Sequence, residues 1–153
     1  MAETFCVRPM ERRDIPAVME IERASFAAPW SETEMEIECA NAAAHYLVVA
    51  PENEPQTIAA YGGFWHIVDE GHITNIATAP AFRRKGCAKL LLTELIALAK
   101  SLGIAAMTLE VRVSNEPAQR LYEACGFAGV GVRPNYYPDN REGALIMWRQ
   151  GIS

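Results

Sequence analysis

The sequence predicts an α/β or α+β domain built on one mixed β-sheet. Short apolar stretches separated by turn residues come first, and strand-like and helix-like stretches then alternate towards the C-terminus. The chain has 153 residues, of which 50% are hydrophobic and 22% charged, and it contains no repeat or low-complexity linker. These features predict a single globular domain over residues 1–153.

The first elements are predicted to be one strand and two helices, at 4–9, 12–26 and 31–40. Asp14 is a suitable N-cap for the first helix, and Pro16 falls in its first turn, where a missing N–H costs nothing. Ser31 with Glu34 three residues later predicts a capping box at the start of the second helix. The three stretches that follow, 45–50, 57–68 and 72–79, predict strands in meander order.

A long helix is predicted after Gly86. Four leucines recur at intervals of four, three and four residues, which indicates one buried face: Leu91, Leu95, Leu98 and Leu102. Lys100 lies in the predicted last turn and Gly103 provides a C-terminal stop. The remaining elements are predicted to be a strand, a short helix and two strands, at 105–113, 115–125, 127–134 and 144–150. Pro117 falls in the first turn of the short helix and Gly126 ends it.

Charge and composition exclude several classes of function. The formal net charge is -5, which gives no general basic surface for nucleic acid or an anionic membrane. No stretch has the length of a membrane span, and the first residues do not resemble a signal peptide. Four widely separated cysteines predict reduced thiols in a cytoplasmic protein, and three scattered histidines predict no metal site.

One local basic segment runs against the acidic background. Arg83, Arg84 and Lys85 stand directly before Gly86 and the predicted long helix. A helix start leaves backbone N–H groups free and carries partial positive charge, and small residues let a ligand approach the backbone. These properties suit a diphosphate. A solvated basic surface followed by an ordinary turn accounts equally well for the same residues, and both interpretations stay open on this segment alone.

This segment belongs to a longer pattern. The stretch NIATAPAFRRKGCAKLLL (75–92) resembles the acetyl-CoA-binding motif of the GNAT superfamily of N-acetyltransferases, Q/R-x-x-G-x-G/A, with Ala88 where many members have glycine. Four further stretches resemble its RimI type, the ribosomal-protein-alanine N-acetyltransferases: APWS (28–31), HITNIAT (72–78), LEVRVSNEPAQRLYEACGF (109–127) and RPNYYPDNREGALIM (133–147). The resemblance implies a sheet of about seven strands with about four helices, splayed between strands four and five.

The resemblance also implies where acetyl-CoA binds. The backbone of the glycine loop would hold the coenzyme diphosphate, at Arg84, Lys85, Gly86, Cys87, Ala88 and Lys89. The splayed strand would pair with the pantetheine amides, at Ile76, Ala77 and Thr78. Asn115 would also contact the coenzyme, although its position before Glu116 and Pro117 predicts a helix N-cap as well.

The catalytic residues follow from the same motifs. In RimI-like enzymes the general base is the Glu of LEVR, here Glu110, and the general acid is the Tyr of LYE, here Tyr122. From the residues alone, a structural ion pair of Glu110 with Arg112 on the same strand face is the favoured interpretation. Tyr122 is at a helical position where an aromatic residue more often packs in the core. The cysteines have no neighbouring histidine that would recommend acyl-cysteine catalysis.

The resemblance implies transfer of acetyl to the N-terminal α-amine of a protein, in particular an N-terminal alanine of a small-subunit ribosomal protein, by direct attack in a ternary complex. An α-amine has a pKa about 2.5 units below that of lysine, which spares about 3.4 kcal/mol of deprotonation and suits a single glutamate. Acceptor contacts are expected from two loops, at Ala28, Pro29 and Trp30 and at Asn135, Tyr136 and Tyr137, with loop anchoring as the alternative. A small-molecule amine acceptor and a non-catalytic acyl-CoA-binding module remain alternative functions, and the sequence leaves the oligomeric state open.

Overall fold

A computed structural model describes residues 3–152 of the chain. Its strands are β1 (Phe5–Pro9), β2 (Ala44–Pro51), β3 (Ala60–Ile67), β4 (Glu70–Thr78), β5 (Ala106–Arg112), β6 (Ala128–Arg133) and β7 (Ala144–Arg149). Its α-helices are α1 (Ile15–Ser25), α2 (Glu32–Ala40), α3 (Cys87–Ser101) and α4 (Glu116–Ala124), with 3-10 turns at Arg12–Asp14 and Pro80–Phe82. The strands form one mixed sheet in the order β1-β2-β3-β4-β5-β7-β6, which confirms the predicted fold class. Within the described residues, no helix is long and apolar enough to cross a membrane.

The starts of the first two helices differ in how they are capped. The capping box predicted for α2 is confirmed: Ser31 Oγ accepts from the Glu34 backbone N–H at 3.1 Å, and Glu34 Oε1 accepts from the Ser31 N–H at 3.0 Å. Asp14 stands at the N-cap position of α1 but makes no capping hydrogen bond, so the predicted role was wrong. Its carboxylate instead accepts two hydrogen bonds from Arg8 at 2.8 Å, which ties the start of the helix to β1.

The buried face of α3 is shifted from the predicted leucine stripe. Leu91 and Leu95 are fully buried as expected, and Leu92 and Ala99 complete the face that packs on the sheet. Leu102 is 38% exposed, so its predicted burial was wrong. It lies one residue beyond the end of the helix, where Gly103 turns the chain away with a φ of +79°.

Two apolar cores lie on the opposite faces of the sheet. The larger core contains the buried face of α3 together with Tyr122 of α4 and Phe127. The smaller core lies between the sheet and the helices α1 and α2, and it includes Tyr61 of β3 and Ala77 of β4. The two helix layers therefore approach the sheet from opposite sides.

The sheet opens between β4 and β5. These parallel strands are joined by three residue pairs, the last of which is His72 with Thr108. Among the described residues, β4 then continues to Thr78 paired with β3 alone, and β5 continues to Arg112 paired with β7 alone. The splay predicted between strands four and five is therefore present, and it leaves one backbone edge of β4 without a neighbouring strand.

A β-bulge in β4 lies where this splay begins. Phe64 of β3 pairs with Ile73, while the preceding Gly63 pairs with Asn75, so Thr74 is the extra residue. Trp65 and Gly63, the β3 partners of His72 and Asn75, are two residues apart and share one face of the sheet. The bulge therefore brings His72 and Asn75 to the same face, although they are three residues apart. Tyr61 is on that face of β3 as well, two residues before Gly63, and it packs in the core under α1 and α2, so the face lies on the side of these helices.

Candidate active site

A groove with a volume of about 330 Å³ occupies the splay. Its walls come from the end of α1 and the residues after it, β4, β5, α4 with its N-cap, and the β6–β7 loop, at 25–28, 73–76, 109–112, Asn115, Ala118, Tyr122 and 137–139. Because the sheet is open here, side chains from both of its faces reach the same space. The groove thus brings together Glu110, Tyr122, Asn115, Ile76, Ala28 and Tyr137 from the residues that the sequence singled out.

Glu110 is bound to a histidine rather than to Arg112. Its Oε2 lies 2.8 Å from Nε2 of His72, the last residue of β4 that pairs with β5. The hydrogen bond from His72 lowers the pKa of Glu110, and the same contact raises the pKa of His72. Glu110 is therefore held as a carboxylate at the mouth of the splay, in a fixed orientation.

The His72–Glu110 pair gives the fold a pH-dependent contribution to stability. The raised pKa of His72 makes its contribution complete below the ordinary value of 6.5 and removes it as the pH rises through the raised value. The lowered pKa of Glu110 makes its contribution complete above 4.5 and removes it as the pH falls through the lowered value. We expect His72→Gln to lower the unfolding free energy by about 1 kcal/mol between pH 4.5 and pH 6.5, the ordinary pKa values of the two groups, and by less outside this interval.

Thermal unfolding midpoints at about pH 5.5 and pH 9 measure this difference, since the pH interval spans the titration of the histidine. His66→Gln is a matched control, because His66 has no hydrogen-bonded carboxylate among residues 3–152. A His72→Gln deficit that is the same at both pH values would contradict an ionic contribution.

Arg112 anchors the β6–β7 loop, so its predicted alternative pairing with Glu110 was wrong. Its guanidinium donates to both carboxylate oxygens of Asp139 at 3.1 Å and to Glu142 Oε1 at 3.3 Å. The same guanidinium stacks 3.9 Å from the ring centre of Tyr137. Tyr137 is thus both anchored and part of the groove wall, which unites the two interpretations of this loop.

Tyr122 enters the groove from the side of α3 and α4. The side chain is 8% exposed and packs edge-on against Phe127 at 6.0 Å between ring centres. Burial raises the pKa of its phenol to about 12, so the hydroxyl keeps its proton at any physiological pH. Within residues 3–152 the hydroxyl has no hydrogen-bond partner, and it is not among the fully buried oxygens without a partner, since Tyr122 lines the groove. The core interpretation of Tyr122 is correct for its ring and leaves its hydroxyl without a structural partner.

The glycine loop has the backbone shape expected of an anion site. Gly86 is the N-cap of α3 with a φ of +79°, and Arg84 also has a positive φ of 63°. The Lys85 ammonium is engaged with Glu3 at 2.8 Å, and the Cys87 side chain is buried in the core. The parts of this loop that remain available to a ligand are backbone N–H groups and the exposed Arg84 and Lys89 side chains.

We expect Gly86→Ala to raise the KM for acetyl-CoA about tenfold, because it strains a left-handed residue and adds a methyl group where the diphosphate is predicted to bind. The added Cβ would meet nothing within 4 Å in the protein itself. Gly103→Ala is a matched control, since Gly103 has the same φ of +79°, an equally open surround and a position at the other end of α3.

Steady-state kinetics with acetyl-CoA and with acetyl-pantetheine, which lacks the diphosphate, measure the effect. Both alanine variants should lose similar stability, and only Gly86→Ala should lose acetyl-CoA affinity. An equal rise in KM for acetyl-pantetheine would show that the loop does not act through the diphosphate.

The other sequence-predicted coenzyme and acceptor residues are distributed around the groove rather than all within it. Asn115 caps α4 as predicted, with Oδ1 accepting from the Ala118 N–H at 3.2 Å. Trp30 packs against the core under α1 and α2, and neither it nor Pro29 lines the groove. Tyr136 packs edge-on against Tyr137 with 5.0 Å between ring centres, is 39% exposed and does not line the groove.

Sequence reasoning missed three polar groove residues and the partner of Glu110. Ser25, Thr74 and Asn75 all line the groove, and His72 binds Glu110. The Tyr46 hydroxyl donates to Glu38 at 2.7 Å, so it accepts the 2.8 Å hydrogen bond from the Thr74 hydroxyl. Three of these four residues belong to the stretch HITNIAT, but the bulge that determines which face of the sheet they occupy has no clear signal in the sequence.

The splayed mixed sheet, the groove in the splay and the glycine turn before α3 are the features expected of an N-acetyltransferase. The chain belongs to the acetyltransferase (GNAT) family, whose model matches residues 15–127. It is an acetyl-CoA-dependent enzyme of that family, and the similarity to the RimI type is confirmed by its relatives.

Two relatives and one solved structure carry this similarity. A Bacillus subtilis (strain 168) protein named provisionally as a [ribosomal protein bS18]-alanine N-acetyltransferase is 43% identical over 149 residues, covering 97% of each chain. The [ribosomal protein bS18]-alanine N-acetyltransferase of Escherichia coli (strain K12) is 37% identical over 143 residues, covering 92% of this chain and 94% of its own. The crystal structure of the ribosomal-protein-S18-alanine N-acetyltransferase from Escherichia coli superposes with a TM-score of 0.86 at 33% identity, covering 96% of this chain and 94% of that one.

Proposed function

We propose that this enzyme transfers acetyl from acetyl-CoA to the N-terminal α-amine of a protein, and that its acceptor is the alanine N-terminus of a small-subunit ribosomal protein in the cytoplasm. The observation that carries the proposal is the groove in the splay. It places a carboxylate on the α1–α2 side and a protonated phenol on the α3–α4 side of one continuous space. The names of the full-length relatives supply the acceptor class.

The two substrates would enter from opposite faces of the sheet. The glycine loop and Asn115 lie at the starts of α3 and α4, so the coenzyme lies on that side. The free edge of β4 offers backbone groups over Ile76, Ala77 and Thr78, which suit the amides of pantetheine as one strand suits another. The acceptor N-terminus would enter on the other side, between Ala28 and Tyr137.

The chemistry needs a neutral amine and a stabilised leaving group. Glu110 takes a proton from the acceptor ammonium, either directly or through one water, and His72 holds the carboxylate in place. The free amine attacks the thioester carbonyl and forms the C–N bond of a tetrahedral intermediate. Collapse of the intermediate breaks the C–S bond while the Tyr122 hydroxyl donates a hydrogen bond to the departing thiolate. The attacking nitrogen releases its second proton to solvent, and the thiolate takes up a proton from solvent. The products are the acetamide and free coenzyme A, with no acyl-enzyme.

The environment of Glu110 favours an α-amine over lysine. A carboxylate whose pKa is lowered is a weaker base than an ordinary glutamate, so it benefits from an acceptor that is already partly neutral. An α-amine with a pKa of about 7.7–8.0 meets this condition near pH 7, whereas a lysine with a pKa of about 10.4 does not.

Release of free coenzyme A from acetyl-CoA tests the proposal. The acceptors are an alanine-starting peptide, the same peptide with a blocked N-terminus, and a blocked peptide with an internal lysine. We expect turnover with the free α-amine alone. Turnover with lysine or with a polyamine in place of the free N-terminus would overturn the acceptor assignment, and coenzyme binding without any acceptor would favour a binding module.

A further inference from the structure

Two polar side-chain atoms of groove residues are buried without a hydrogen-bond partner. The residues are Ser25 at the end of α1 and Asn75 in β4, and their free atoms are Oγ and Oδ1. No other buried side-chain oxygen or nitrogen within residues 3–152 lacks a partner, and both residues line the groove. A buried polar atom without a partner costs about 1–3 kcal/mol, so two of them at one place indicate partners that arrive with a ligand.

The orientation of Asn75 is fixed by a buried carboxylate. Glu22 is 1% exposed, and its Oε1 accepts from Asn75 Nδ2 at 3.0 Å. A carboxylate oxygen accepts hydrogen bonds, so the amide nitrogen of Asn75 must face it and the amide oxygen must face away. The bulge at Thr74 puts Asn75 on the α1–α2 face, which is the proposed acceptor side. Asn75 Oδ1 is therefore a hydrogen-bond acceptor on the side of the groove where the acetyl-accepting substrate is proposed to bind.

The charge behind Asn75 is negative and has no cation beside it. Besides Asn75, the Glu22 carboxylate accepts from the Tyr61 hydroxyl and from the Trp30 backbone N–H at 2.9 Å. No Lys, Arg or His hydrogen-bonds to it in the described part of the chain. Two free hydrogen-bond acceptor atoms in front of such a carboxylate suit a ligand group that is cationic and donates N–H bonds.

We propose that Asn75 and Ser25 form the subsite for the terminal ammonium group of the acceptor. This subsite rests on the proposed function, since it deepens the recognition of an N-terminal amine at the same groove. An ammonium has three N–H bonds: one points to Glu110, which removes the proton, and the other two point to Asn75 Oδ1 and Ser25 Oγ. Glu22 is a positioning residue that acts through Asn75.

The test compares two peptides that differ by the amine alone. One begins with alanine, and the other carries a propionyl group in its place, which keeps the methyl group and removes the ammonium. Binding of both is measured in the presence of coenzyme A, for the wild type, Asn75→Leu and Ser25→Ala. Asn41→Leu is the matched control, because it also removes an amide donor to a buried glutamate, at Glu38, and lies outside the groove.

We expect the wild type to favour the free amine, and Asn75→Leu to reduce that preference about tenfold or more. Ser25→Ala should reduce it less, and Asn41→Leu should leave it unchanged. A preference in Asn75→Leu and Ser25→Ala equal to that of the wild type would overturn the subsite, while turnover of N-terminal peptides would keep the proposed function. If the wild type instead acetylates a small-molecule amine, the proposed function fails. The same variants are then compared with that amine and its des-amino analogue, where an unchanged preference overturns the subsite as well.

Discussion

Glu110→Gln should lower kcat about a thousandfold with an alanine-starting peptide, while the KM for acetyl-CoA stays near the wild-type value. Glutamine keeps the shape of the side chain and an oxygen that can accept from His72, so the groove should keep its form. What it loses is the ability to take a proton from the acceptor ammonium. The deficit should shrink as the pH rises past about 8, because more of the α-amine then arrives neutral.

The pair that Glu110 forms with His72 provides the control for this result. If Glu110 served only as a structural partner of His72, then His72→Gln and Glu110→Gln would reduce kcat equally. A base held by a positioning residue predicts instead that His72→Gln costs less than about tenfold, while Glu110→Gln costs far more. Initial rates of coenzyme A release across the pH range, with a melting curve for each variant, separate the two. A Glu110→Gln enzyme that keeps a third of the wild-type kcat would remove Glu110 as the base.

The elements of the fold could be predicted because each is signalled locally. The capping box of Ser31 and Glu34, the Asn115 cap and the glycine after α3 depend on neighbours within a few residues, and all three are present. One error arose where a residue outside the helix binds the side chain that was expected to cap it. Asp14 was expected to cap α1, and Arg8 in another element binds its carboxylate instead.

The candidate site was predicted less completely, because its partners are far apart in sequence. Glu110 and Arg112 are two residues apart on one strand face, which made an ion pair between them plausible. The actual partner of Glu110 is His72, which is 38 residues away in sequence. His72 is the last residue of β4 that pairs with β5 before the splay. The facing of Asn75 depends on a single extra residue in β4, and a strict alternation of faces would have assigned it to the opposite side.

Tyr122→Phe should lower kcat about a hundredfold without lowering the stability of the protein. Stability should hold because the hydroxyl has no hydrogen-bond partner among the described residues and is not fully buried, so its removal leaves no polar group of the protein unpaired. Tyr46→Phe is the contrasting variant for stability. Its hydroxyl donates to Glu38 at 2.7 Å, and it should lose about 1–3 kcal/mol.

The size of the kinetic effect follows from the acidity of the two groups. The pKa of Tyr122 is about 12, whereas a thiol has a pKa of about 8.5, so full transfer of the proton to the sulfur would be uphill by about 4.8 kcal/mol. Tyr122 is therefore expected to act mainly as a hydrogen-bond donor to the developing thiolate, which is a smaller contribution than that of the base. Steady-state kinetics and melting curves of both phenylalanine variants check this. If kcat of Tyr122→Phe stayed within twofold of the wild type, packing against Phe127 would be the whole role of Tyr122.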